Sequence, residues 1–125
     1  MARQLDIRIK RAFEKASGDD GLRVLVDRLW PRGLRKEDAA IDLWLKELAP
    51  SAELRIWFGH DPVRWEEFRR RYLAELAPKS ALLDEIRRSA AGRKLTLIYA
   101  AKDQAHNQAV VLRDLLAASS PPPRE

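Results

Sequence analysis

Two short apolar runs constrain this chain more than anything else in it. Leu22-Arg23-Val24-Leu25-Val26 and Lys94-Leu95-Thr96-Leu97-Ile98-Tyr99-Ala100 have the aliphatic and β-branched density of buried strands. The stretch between them, residues 27–93, is dominated by helical periodicity. Two buried strands separated by helices predict a parallel pair joined by a long right-handed crossover. In open sheets of this kind, ligands collect outside the carboxyl ends of the strands. Here those ends are Asp27-Arg28 and Ala101-Lys102-Asp103, both dense in functional side chains.

The remaining elements follow from period and punctuation. Leu5-Asp6-Ile7-Arg8-Ile9-Lys10 alternates apolar and polar, as a half-buried strand does. Ser17-Gly18-Asp19-Asp20-Gly21 is a turn cluster. The link it forms to Leu22 is too short for a helical crossover, so an antiparallel, hairpin-like pairing is predicted. From Glu37, the spacing of Ile41, Leu43, Trp44, Leu45 and Leu48 predicts an amphipathic helix that Pro50 ends. Ser51 caps a short helix over 52–58, with Gly59 as its stop. Asp61 and Pro62 suit the cap and first position of the next helix, where Trp65, Phe68, Tyr72 and Leu76 form one face and Pro78 is the stop. Ser80 is expected to cap a helix with Leu82, Leu83 and Ile86 inward and Gly92 at its end. Ala105, Ala109, Leu112 and Leu116 define the last helix. The reading is one α/β domain over residues 1–118: a small mixed sheet with a parallel central pair and helices packed around it. A flexible proline-rich tail is expected over 119–125.

Composition narrows the function classes. A chain of 125 residues, 46% hydrophobic and 34% charged, has the balance of one globular domain and not of a disordered or fibrous chain. No uncharged apolar run is long enough to span a bilayer, so no membrane partner is expected. There is no cysteine, which removes disulfides, thiolate metal sites and cysteine nucleophiles together. Met1-Ala2-Arg3-Gln4-Leu5 lacks the pattern of a secretory signal, and a cytoplasmic location is the expectation. The 24 basic and 19 acidic residues leave a net charge of +5, a mild bias toward anionic partners.

Three segments carry side chains suited to chemistry. Asp27 to Gly33 offers a carboxylate, the Arg28 and Arg32 guanidiniums and the Trp30 indole. A planar guanidinium clamps phosphate or carboxylate, and Asp27 can orient an arginine or act as a base. The bland reading is an Asp27–arginine pair that fixes the loop over a core Trp30. One glycine is too few for a Walker or Rossmann phosphate cradle. In the second segment, Asp103 is expected to cap the last helix and place His106 in its first turn, where unpaired N–H groups favour anions. Asn107, Lys102 and Asp103 would complete that rim. In the third, Trp57 and Phe58 read as core and His60 as an exposed helix–helix corner; the alternative places His60 over the strand ends as a lid. The histidines lack HxH or HxxxH spacing, so no metal site is expected. No motif assigns a cofactor.

Val26-Asp27-Arg28-Leu29-Trp30-Pro31-Arg32-Gly33 and Trp44-Leu45-Lys46-Glu47-Leu48-Ala49-Pro50-Ser51 resemble the YeaO-like branch of the bacterial family called domain of unknown function 488. The likeness continues through Trp57-Phe58-Gly59-His60-Asp61-Pro62 and Arg71-Tyr72, and closes with Leu97-Ile98-Tyr99-Ala100-Ala101-Lys102-Asp103 and His106-Asn107. The resemblance implies a compact α/β domain and brings no established activity. Longer relatives tend to carry cysteine near the histidine of the final strand–helix loop; this chain has none, so a thiol mechanism does not carry over.

The residues together predict a domain that binds an anionic small molecule at the strand ends, as a receptor or as an enzyme. Arg28 and Arg32 would hold the anion, His106 would assist or transfer a proton, and Asp27 would orient, making His106 and Asp27 the catalytic pair of any reaction. The alternative is a nucleic-acid-binding or regulatory module using Arg64, Arg69-Arg70-Arg71 and the 32–36 segment. No helix-turn-helix, zinc-finger or RNP motif supports it. A third reading is a structural interaction domain. No sequence feature assigns an oligomeric state.

Overall fold

The computed structural model describes residues 6–90 and 94–118. Four strands, β1 (Ile7–Arg11), β2 (Leu22–Leu25), β3 (Leu43–Trp44) and β4 (Leu95–Tyr99), form one sheet in the order β1-β4-β2-β3. β2 and β4 are the two apolar runs, and every residue in both is buried. They pair in parallel from Leu22 opposite Leu95 to Leu25 opposite Ile98. Alternation along the strands then divides the core. Leu22, Val24, Val26, Leu95, Leu97 and Tyr99 join the large cluster with the helices, while Leu25 and Ile98 pack on the other side under Trp30, Leu34, Ile41 and Trp44.

The antiparallel pair expected between the first two strands does not form. β4 inserts between β1 and β2 and pairs with both in parallel, so the sheet is parallel throughout instead of mixed. A strand buried on both faces belongs in the middle of a sheet, with a ladder on each edge. β1 therefore pairs with β4 across register Ile7–Leu95 to Arg11–Tyr99, and the short link has only to step past one strand.

The helix expected from 37 to 48 is also replaced. Only α1 (Lys36–Ala39) is helical, and Ala40 closes it in the left-handed region at φ 48°. Leu43–Trp44 is the edge strand β3, and Lys46–Leu48 is a single 3-10 turn. The apolar residues here serve two cores. Leu43, Leu45 and Leu48 pack with the large cluster, and Ile41 and Trp44 with the small one. A helix with one apolar stripe cannot reach both faces of a sheet.

The later helices follow the sequence closely. α2 (Ala52–Phe58) is capped by Ser51 Oγ, which accepts the Leu54 N–H at 3.1 Å, and stops at Gly59 with φ 55°. Asp61 caps a 3-10 turn over Pro62–Arg64 that leads into α3 (Trp65–Leu76), whose buried residues are Phe68, Tyr72 and Leu76. Glu75 ties α3 to the cap of α2, accepting the Ser51 N–H at 2.9 Å and the Ser51 hydroxyl at 2.6 Å. α4 (Ser80–Ser89) buries Leu83 and Ile86; Ser80 is its first helical residue and not its cap. Gly92 and the 119–125 tail lie outside the described residues. α5 (Gln108–Ala118) buries Ala109, Leu112 and Leu116, and packs across β1 and β4.

The amino end of β2 is locked by buried charge. Arg23, 3% exposed, pairs with Asp20 and donates to the Ala39 carbonyl at 2.8 Å, while Lys10 reaches Asp20 at 3.2 Å. Gly21 stands between this cluster and β2 with φ +66°, and a Cβ there would lie 2.2 Å from the Lys94 carbonyl oxygen. The Leu22 N–H donates to that same oxygen at 2.9 Å, so the backbone cannot move aside cheaply. Gly21→Ala is expected to cost about 2–3 kcal/mol in a urea titration. A loss below about 1 kcal/mol would show that the turn relaxes.

Candidate functional site

Parallel strands deliver their carboxyl ends to one side, and here they meet as expected. The Ala100 N–H, just past β4, donates to Asp27 Oδ2 at 3.0 Å, just past β2. The Gln108 side-chain amide donates to the other oxygen of Asp27. The Trp44 indole N–H donates to the Asp27 carbonyl at 2.8 Å, which fixes the chain as it leaves the sheet. Burial pushes the Asp27 carboxyl up to about 6, against the opposing pull of the Ala100 N–H, Gln108 and the Arg55 charge.

A cleft of about 580 Å³ opens over this point, in the size range of small-molecule sites. It lies where the chain departs in two directions, from β2 toward β3 and from β4 toward α5, the arrangement that leaves a crevice at strand ends. Asp27, Ala100 and the buried rings of Phe58 and Phe68 line its inner part, the two rings stacked 4.3 Å apart. Exposed Arg28, Arg32, Arg55 and His60 line its mouth. His60 holds a left-handed φ of 56°, with its ring 6.2 Å from Phe58. It is thus both a helix–helix corner and a cleft residue.

His106 enters from the β4–α5 loop. Its Nδ1 lies 2.9 Å from Asp103 Oδ2, and its ring meets Trp65 edge-on at 5.2 Å. Asp103 also accepts the Ala105 N–H at 2.9 Å and the His106 N–H at 3.0 Å. The Ala105 N–H and the His106 side chain hold its carboxyl below the ordinary range. Asp103 therefore closes a turn ahead of the helix and does not cap it. The cap is Asn107, whose Oδ1 accepts the Val110 N–H at 3.2 Å and whose Nδ2 donates to the Asp103 carbonyl at 2.8 Å. His106 consequently precedes α5 instead of sitting in its first turn, and Ala105 is exposed.

Of the residues singled out in the sequence, Asp27, Arg28, Arg32, His106 and Asn107 line the cleft together. Lys102 and Asp103 do not; Lys102 is exposed, and Asp103 stands behind His106. Among the described residues no arginine forms an ion pair with Asp27, so the bland reading does not hold there: Arg28 donates instead to the Pro50 carbonyl at 3.4 Å. The sequence reading missed Arg55 and Gln108. Neither had a local signal: Arg55 is an ordinary exposed residue of a short helix, and Gln108 is the first residue of α5. Among the described residues, no group of three His, Asp or Glu side chains could hold a metal ion, and no helix is long and apolar enough to cross a membrane.

Fold and cleft together define a small parallel α/β domain with a ligand-sized crevice at the carboxyl ends of its central strands. The chain belongs to the DUF488 family: residues 6–121 match the model described as the inactive DUF488-N3 subclade. It is 44% identical over 116 residues to uncharacterised proteins of Mycobacterium bovis and Mycobacterium tuberculosis, an alignment covering 93% of this chain and 98% of each relative. It is 46% identical over 112 residues to the uncharacterised protein YeaO of Escherichia coli, covering 90% of this chain and 97% of that protein. No solved structure matches the chain.

Proposed function

We propose that the cleft binds an anionic small molecule, held at its mouth by Arg28, Arg32 and Arg55. The observation that carries this reading is that these three guanidiniums line one cleft and, among the described residues, none forms an ion pair with a carboxylate. By contrast, Arg23 pairs with Asp20, Arg64 with Asp61, and Arg70 and Arg71 with Glu67. The arginine-rich face of α3 is thus largely compensated by its own carboxylates, which argues against a nucleic-acid surface there. An unpaired planar fork is suited to carboxylate or phosphate. His106, with Nδ1 turned to Asp103, keeps Nε2 for a ligand, and exposed Lys102 adds long-range attraction.

The family's description as an inactive subclade favours binding without turnover. On this reading Asp27 and His106 act as ligand contacts and not as a catalytic pair. Thermal melts with a panel of anionic metabolites at fixed ionic strength test it. A ligand at a hundred times its Kd stabilises the native state by about 2.7 kcal/mol, so some members should raise the melting temperature. The double variant Arg28→Ala/His106→Ala is expected to remain folded and lose those shifts. Equal shifts in both proteins would place the anion elsewhere.

A further inference from the structure

Asp27 is an unusual residue to find inside a cleft ringed by arginines. Each of its oxygens accepts one hydrogen bond, and both donors, the Ala100 N–H and the Gln108 amide, are neutral. A carboxylate offers about four lone-pair sites, so each oxygen keeps one. Among the described residues, no lysine, arginine or histidine forms an ion pair with it. The groups around it offset its charge only in part. Arg55 of α2 acts on it only through space, and Tyr72 of α3 is committed to the Leu48 carbonyl. His106 is turned to Asp103 and Arg28 to Pro50. A charge shielded from water without a counter-ion is costly to keep, and here it lines the cleft.

We propose that the cleft selects a dipolar ligand, with its anionic group on the arginines at the mouth and a cationic or N–H donor group on Asp27. This rests on the anion-binding reading above and adds the second end of the molecule. A plain anion reaching past the mouth would be repelled by Asp27. A ligand with an amine or amidine at its far end would supply the missing counter-charge through charge-assisted hydrogen bonds. The stacked Phe58 and Phe68 rings offer an apolar surface for a flat or aliphatic spacer between the two ends. The plane of the carboxylate is held by Ala100 and Gln108, which pre-organises it for a two-pronged donor such as an amidine.

The test compares 4-amidinobenzoate with 4-methylbenzoate, two molecules alike in anion and ring, by titration calorimetry near pH 8. On the unmodified protein the amidine is expected to bind roughly ten- to a hundredfold more tightly, the value of hydrogen bonds to a charged group. In Asp27→Asn, which keeps an oxygen for the Ala100 N–H, the ratio should fall to about twofold or less through loss of the amidine's advantage, in a variant whose urea transition shows it folded. Equal affinities on the unmodified protein would overturn the dipolar proposal and leave the anion site standing. An amidine preference that survives Asp27→Asn would overturn it as well, by placing the cation on another acceptor. Binding of neither compound would remove the anion-binding cleft on which the proposal rests, a separate failure.

Discussion

Replacing Phe68 by alanine is expected to cost about 3–5 kcal/mol of folding stability, a large part of what a domain this size has. Phe68 is 2% exposed, and its ring stacks on Phe58 at 4.3 Å and on Trp65 at 5.6 Å, with Tyr72 at 5.7 Å. Truncation removes the transfer energy of the ring and leaves a void that rigid neighbours on α2, α3 and the sheet cannot close. The void would open onto the cleft, because Phe68 lines it. Trp65 would lose its stacking on Phe68, which loosens the ring that braces His106 at 5.2 Å. Anion binding should therefore weaken along with stability. Urea titration would show a lower midpoint at unchanged slope. A loss under about 1 kcal/mol would mean that this face is not core, and a partner surface would become the better account of its aromatic residues.

The same packing explains what could be read from the sequence. β2 and β4 were legible because a strand buried on both faces is apolar at nearly every position, and that pattern has few other uses. α2 was legible at both ends because Ser51 and Gly59 fix its limits locally. The 41–48 segment was not. Apolar residues that alternate toward two cores also satisfy a helical spacing over so short a stretch, and only the position of the sheet decides between them. The partner of β1 was not legible either, since the demand of β4 for two neighbours lies far along the chain from the link that suggested a hairpin. At the site, Asp27, Arg28, Arg32 and His106 could be placed because the ends of parallel strands converge whatever the loops do. Asp103 and Asn107 are both good capping residues, and the sequence alone did not rank them. Arg55 and His60 reach the cleft through the docking of α2 against α3, a tertiary fact with no local trace.

Asp27→Asn is expected to make the protein more stable near pH 8, by up to about 3 kcal/mol, and to change little at pH 3. The folded-state value of about 6 lies above the ordinary 3.8, so folding disfavours the ionised carboxyl. Below 3.8 the group is protonated in both states and costs nothing. As pH rises from there to about 6 the unfolded chain ionises first and stability falls; above 6 the full penalty applies and stays level. Asparagine has no charge to bury, its carbonyl can accept the Ala100 N–H, and Gln108 can turn its own oxygen toward the new amide. Urea titrations of both proteins at several pH values would read the difference directly, as a gap that opens between about pH 4 and 7 and is flat beyond. A variant no more stable than its parent at pH 8 would mean that nearby cations already compensate Asp27, and the case for a cationic ligand group would lose its footing. A gap of the expected size would give Asp27 the signature of a residue retained against stability, which points to what it binds and not to what it holds together.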